Sequence, residues 1–269
     1  MKFQRLIEAV YFQPWSITRS GWSSIHALLK PRLLKSEISN LKSEFPDLDS
    51  EDKDIWGNPM PKMEILYRVA HIPIIGPLIH HAGLIEKKCG ACSYDDVRRD
   101  VAAALNTAGL QAIVFEVNSP GGQCVGCCET AAVIDDARRL VRTEARTDSQ
   151  MCSAAYDLMC GCDRIICTPS AQVGSIGALL AWLDESVRYE MEGYKMEVFA
   201  SGPLKGTGME GTAFTPAQRD YLQSQVDKYA GMFKTHVRSH RLVEDIDMQG
   251  QSFIGTDALL AGLVDEVHS

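Results

Sequence analysis

The pattern of apolar and polar positions changes character near Met63. Before it, residues 33–54 (LLKSEISNLKSEFPDLDSEDKD) are dense in charge, and Pro46, Pro59 and Pro61 punctuate the end of the stretch. This predicts a short amphipathic start followed by a solvated helix or linker, so residues 1–62 read as an N-terminal arm. From Met63 onward, short apolar runs alternate with stripes at helical spacing. Glu64 to Ile75 (EILYRVAHIPII) is rich in strand formers and stops at Gly76-Pro77. Ser93 and Asp96 form an S-x-x-D cap ahead of a stripe at Val97, Val101 and Leu105, which Gly109 closes. Ala112 to Val117 is a strand ending in Asn118-Ser119-Pro120-Gly121-Gly122, and a helix is expected within Cys124 to Val141.

Further along, Cys152 to Cys162 reads as a helix of small residues and Arg164 to Cys167 as a strand. Val173 to Gly177 reads as a tight turn into an apolar strand, Ala178 to Leu183. Asp184 caps a helix that Gly193 ends, and Met196 to Ala200 is a further expected strand. Thr215-Pro216 opens a long helix with Leu222, Val226, Tyr229, Phe233 and Val237 on one stripe, and Thr256 to Leu263 forms a last short helix. Strands separated by helices of this length imply an α/β fold with right-handed crossovers.

Composition narrows the picture. The chain has 269 residues, 45% hydrophobic and 23% charged, which excludes wholesale disorder. A net charge of −8 argues against duplex nucleic acid as the main partner. No apolar run approaches the ~20 residues that span a bilayer. Gln4, Arg5 and Glu8 interrupt any secretory core, so a cytoplasmic location is expected. The nine cysteines are an odd number and read as reduced thiols packed as small hydrophobes. Cys89-x-x-Cys92 and Cys124-x-x-Cys127 have ligand-like spacing, but their separation exceeds that of common zinc ribbons, and no metal is expected. The histidines read as exposed.

One apparent motif is discounted. Gly206, Gly208 and Gly211 match G-x-G-x-x-G, but no helix opens directly after them, so the match reads as a glycine loop rather than a dinucleotide site. Three other features carry chemistry. The glycines of Ser119-Pro120-Gly121-Gly122 leave backbone N–H groups free of a Cβ, as an oxyanion hole needs. In Met151-Cys152-Ser153-Ala154-Ala155-Tyr156 a serine heads an alanine-rich helix, as a nucleophile or as an ordinary cap. Lys205, between Gly202-Pro203-Leu204 and Gly206, serves as a general base only if its amine is neutral, and as a solvated loop lysine otherwise.

Taken in order, SPGG, then MCSAAYDLMCGCDRIICTPSAQVGSIGALL, then FASGPLKGTG resembles the signal peptide peptidase A and phage head protease C family of serine peptidases, from about Met63 to Ser269. The absent membrane anchor and the opening Phe12-Gln13-Pro14-Trp15 resemble the phage capsid branch. The resemblance implies a Clp protease/crotonase-like fold with repeated ββα units over residues 63–269. It implies Ser153 as nucleophile, Lys205 as base, Ser175 of the G-S-I-G turn orienting the lysine, and Gly121, Gly122 and Ala154 as the oxyanion hole. It implies no cofactor, homo-oligomers, and a peptide or protein substrate such as a capsid scaffold or portal-associated protein. A cytoplasmic protease like the signal peptide peptidases, a non-catalytic assembly protein on the same fold, and an acyl-coenzyme A enzyme of crotonase type are the alternatives. One departure stands out: the stretch before the nucleophile, Arg142 to Gln150 (RTEARTDSQ), is strongly polar where the family has an apolar strand.

Overall fold

The computed structural model describes residues 14–18, 53–54 and 57–268. The solvated helix or linker expected before Met63 lies largely outside the described residues. A six-stranded sheet forms the centre, in the order β13 (Glu266–Val267), β10 (Arg164–Cys167), β8 (Arg142–Thr147), β6 (Ala112–Asn118), β3 (Val69–Ile75) and β2 (Glu64–Leu66). All neighbours are parallel except the edge pair β2 and β3. Two smaller sheets stand beside it. One runs β1 (Trp15–Ile17), β7 (Gly121–Gln123), β4 (Leu78–Ile79), β5 (Cys92–Ser93); the other β12 (Ser252–Ile254), β11 (Gln172–Gly174), β9 (Gln150–Cys152).

The chain builds these sheets by repetition. A strand of the large sheet is followed by one that leaves for a small sheet, and then by a helix: β6, β7 and α3 (Cys127–Arg138); β8, β9 and α4 (Ala154–Met159). Earlier helices are α1 (Leu84–Lys88) and α2 (Tyr94–Leu105); later ones are α5 (Ser186–Met191), α6 (Pro216–His240) and α7 (Thr256–Leu260). This is the mixed α/β architecture with ββα repeats that the sequence implied. α3 packs against both α2 and α4, and α4 against α6. One core of buried residues, with Ile72, Ile74, Ile113, Phe115, Leu158 and Ile165 at its centre, joins the large sheet to these helices.

β6 (AIVFEVN) is almost continuously apolar, as a parallel strand covered on both faces must be. β8 lies beside it and is polar, yet it is central rather than exposed. Its Glu144 is buried, with Arg146 Nε at 2.5 Å and Arg164 Nη1 at 3.5 Å. Thr143 N–H donates to Asp163 at 2.9 Å. Buried polar groups satisfied in this way let a charged sequence hold a central position.

Several local expectations are corrected. Ser93 stands at the N-cap of α2 but makes no capping hydrogen bond, and its buried hydroxyl has no partner. Val173 lies in β11 rather than in a turn. Ala178 to Leu183 forms only one bridge, Leu179 with Trp15, and Met196 to Ala200 forms no strand, because neither finds a long partner edge. Thr215 does open α6, with a full capping box to Gln218 and Pro216 at the first turn. Among the described residues, no helix is long and apolar enough to cross a membrane.

Candidate active site

Ser153 sits where β9 turns into α4. Its backbone has φ 56° and ψ −123°, a left-handed region that costs a non-glycine residue about 1–3 kcal/mol. Three bonds hold it there. Ser153 N–H donates to Gly174 O at 2.6 Å, Cys152 N–H to Ser119 O at 3.2 Å, and Asp157 N–H to Ser153 O at 2.9 Å. β9 pairs with β11 in register Cys152↔Gly174, which carries Ser175 to the same place. Ser175 also has a positive φ, 54°, and its N–H donates to Gln251 O at 2.7 Å.

Gly121 closes the other side. A Cβ there would lie 2.8 Å from Ser153 Cβ and 2.2 Å from Ser16 O, and its φ is +104°. Only glycine fits that position on both counts. The Gly121 N–H donates to Ser119 Oγ at 3.3 Å. At Gly122 a Cβ would meet Leu78 O at 2.1 Å. Ala154 is buried in the first turn of α4, where an amide has no acceptor four residues back.

The structure therefore gathers Gly121, Gly122, Ser153, Ala154 and Ser175 around one buried hydroxyl. Lys205 is elsewhere. It is exposed, in a chain of turns after Gly202, and no hydrogen bond or ion pair among the described residues joins it to Ser153. Its segment packs chiefly on itself: Trp182 covers Gly208, Tyr189 covers Gly211, and Trp182 meets Phe214 edge-on at 5.4 Å. The glycines of the discounted G-x-G-x-x-G thus make room for aromatic rings. Around Lys205 the segment exposes apolar side chains, including Met191 at 84% and Phe199 at 94%.

Two cysteines stand next to the serine, Cys152 before it in the chain and Cys127, whose Sγ donates to Ala154 O at 3.7 Å. Burial pushes the Cys152 thiol up to about 11, so it stands neutral beside Ser153. No two of the nine cysteines are joined in a disulfide, and no metal-competent group among the described residues includes Cys89, Cys92, Cys124 or Cys127.

Two groupings escaped the sequence reading. The first is Ser16, from the N-terminal arm, whose Oγ lies 2.6 Å from Ser153 Oγ. The apolar–polar–apolar run Trp15-Ser16-Ile17 was its only signal. The second corrects the view of the histidines as exposed. His236 and His240, one turn apart on α6, are half-buried against Asp135 of α3, and His236 also meets Asp157 of α4. Their i, i+4 spacing was legible, but the packing of α6 on α3 and α4 was not.

Residues 143–269 match the family model of peptidase family S49. The chain is 25% identical over 212 residues to the head-tail preconnector protein GP5 of Enterobacteria phage P21, covering 78% of this chain and 42% of that protein. It is 24% identical over 207 residues to capsid assembly protease C of Escherichia phage lambda, covering 76% of this chain and 47% of that protein. It is 24% identical over 188 residues to the probable protease SohB of Haemophilus influenzae, covering 67% of this chain and 53% of that protein. The chain thus spans less than half the length of the two phage relatives. Similar solved structures include the ClpP protease catalytic domain of Plasmodium falciparum, with TM-score 0.41, 12% identity and coverage of 74% and 84% of the two chains. An enoyl-CoA hydratase/isomerase family member aligns with TM-score 0.40, 13% identity and coverage of 77% and 68%. The matches to peptidase family S49, to a phage capsid assembly protease and to a phage head-tail preconnector protein bear out the resemblance read from the sequence.

Proposed function

With residues 143–269 matching peptidase family S49, we propose that this chain is a serine endopeptidase that cuts protein substrates during phage head assembly. The observation that carries the reading is the hydroxyl of Ser153, held at a strained backbone position against Gly121 and the end of β11 at Gly174. Such strain is maintained where a side chain must be presented rather than packed.

In this reading Lys205, neutral, takes the Ser153 proton as the oxygen attacks a peptide carbonyl. The N–H groups of Gly121 or Gly122 and of Ala154 stabilise the oxyanion, and Ser175 orients the amine. The lysine returns the proton to the leaving amine. Water activated by the same amine then releases the acyl group. Because Lys205 stands exposed among outward-facing apolar residues, it meets a nucleophile when copies of the chain associate, so the working enzyme is a homo-oligomer. The substrate is a scaffold or portal-associated protein, and the site of action is the infected cell.

The same position of Lys205 favours one other reading, a non-catalytic assembly protein that retains the fold. An activity-based fluorophosphonate separates them. The peptidase is labelled at Ser153 and the Ser153→Ala variant is not; absence of label on the associated chain even when Trp15→Ala and Ile17→Asp release Ser16 from the side of Ser153 overturns the peptidase reading.

A further inference from the structure

His236 and His240 present their Nε2 atoms to the same oxygen of Asp135, Oδ2, at 3.1 and 3.3 Å. The edges of a zinc tetrahedron with 2.0–2.1 Å bonds are about 3.3–3.4 Å. Behind His236, Asp157 accepts from Nδ1 at 2.7 Å, which turns Nε2 toward Asp135. That carboxylate–imidazole support is how metal-ligating histidines are oriented. The second oxygen, Asp135 Oδ1, is buried without a partner. Gly161 makes the space: a Cβ there would lie 2.0 Å from Asp135 Oδ1 and 3.4 Å from His240 Nε2, although its backbone does not need glycine. Arg138 reaches His240 Nδ1 at 3.3 Å and is shared with Asp163 at 2.7 Å, to which it can turn fully; Cys160 Sγ lies 3.4 Å from His236 Nδ1, away from the ligand face.

We propose that Asp135, His236 and His240 bind a divalent transition ion of zinc type, tetrahedral with water in the fourth position. The ion ties α6 to α3 behind α4, the helix that Ser153 precedes. Cobalt(II) titrated into the metal-stripped full chain tests this. One equivalent is expected, with tetrahedral visible absorption and no thiolate charge-transfer band. His240→Ala should remove it, and Asp157→Asn should weaken it by about 10–100-fold. An unchanged stoichiometry in His240→Ala, or a thiolate band, overturns the site. In the unaltered chain, zinc should shift the ring signals of two histidines in nitrogen-15 NMR; rings unmoved by zinc also overturn it.

A second inference rests on the peptidase reading and concerns the groove beside Ser153. β1 lies antiparallel on β7, in register Trp15↔Gln123, Ser16↔Gly122 and Ile17↔Gly121. Its other edge is bonded both ways to Leu179, Trp15 N–H to Leu179 O at 2.9 Å and Leu179 N–H to Trp15 O at 2.8 Å. A strand added between two edges in this way is how an extended peptide is held. Trp15 and Ile17 bury into an apolar pocket with Ile79, and Ala82, Ala91 and Leu179 pack around it. Ser16 faces the nucleophile. The Ser16 hydroxyl donates to Gly177 O at 2.7 Å, and its one hydrogen is then engaged. Ser153 must therefore donate to Ser16, and its proton is unavailable to a base.

We infer that β1 is a resident substrate mimic. The groove selects extended peptides with a small residue facing Ser153 between two bulky apolar ones. A fluorescent peptide with the sequence of residues 13–19 should bind the full-length Trp15→Ala, Ile17→Asp variant at least tenfold more tightly than the wild-type chain. Replacing its serine by leucine should weaken that binding. Equal binding to both chains, or none to either, overturns the inference. Fluorophosphonate labelling of the same variant keeps the two readings apart. Labelling without peptide binding defeats only the mimic, and binding without labelling defeats only the nucleophile. In the wild-type chain, excess peptide should speed hydrogen exchange at Ser16 and Thr18; unchanged exchange counts against competition for one slot.

Discussion

The halves of the proposed dyad stand in opposite surroundings. Ser153 is 1% exposed, at the meeting of two sheets and a helix, with its own N–H bonded to Gly174 O and its own C=O to Asp157 N–H. Lys205 lies on a segment without strands, which turns Met191 and Phe199 outward. On the proposed reading, the contrast teaches that the chain by itself completes the nucleophile and its hydrogen-bond donors, while the base awaits a second surface. Burial fixes geometry to a fraction of an ångström. An outward apolar segment gains its geometry only when something covers it.

The largest effect should come from removing either half. Ser153→Ala and Lys205→Ala should each bring peptide hydrolysis to background. Mixed together, the two inactive variants should regain measurable hydrolysis if the lysine serves a neighbouring copy; no recovery places the base within one chain and breaks the contrast. Next in size is packing. Phe115→Ala should cost about 3–5 kcal/mol in chemical denaturation, whereas Phe199→Ala should change monomer stability by less than about 0.5 kcal/mol while weakening self-association in ultracentrifugation. Equal costs at the two phenylalanines would mean that the lysine segment is as well anchored as the core. Smaller again is backbone strain. Ser153→Gly should stabilise the fold by about 1 kcal/mol while losing all activity, and Ser153→Ala should not, because alanine keeps the Cβ penalty at φ 56°.

The smallest is a pH effect on the nucleophile side. Partial burial works against the Asp163 carboxylate, but bonds from Thr143 N–H and Arg138 outweigh it and lower its pKa. Stability from this group is present at neutral pH and is lost as the pH falls through its folded value. Asp163→Asn should therefore lower thermal stability at neutral pH and flatten the acid limb of its pH profile.

Much of this was legible in the sequence where the cause is local. Thr215, Pro216 and Gln218 announce the start of α6 through their own hydrogen bonds, and AIVFEVN announces a strand buried on both faces. Gly121 and Ser153 could be singled out because each has a conformational or chemical need of its own. What escaped depends on partners distant in sequence. RTEART is a central strand only because Arg164 and Asp163, some twenty residues on, neutralise it. Ala178 to Leu183 and Met196 to Ala200 are apolar enough for strands, yet a strand requires an edge, and pattern alone does not reveal its absence. Ser16 lies 137 positions from Ser153, and no spacing rule spans that distance.

The sulfur chemistry of the interior has a practical corollary. Six of the cysteines are buried, and desolvation carries Cys124 and Cys162 up to about 12. At neutral pH such side chains hold almost none of the anion that alkylating and oxidising agents consume. Iodoacetamide should spare catalysis in the native protein, so inhibition by an electrophile that also acylates alcohols can be credited to the serine rather than to its sulfur-bearing neighbours.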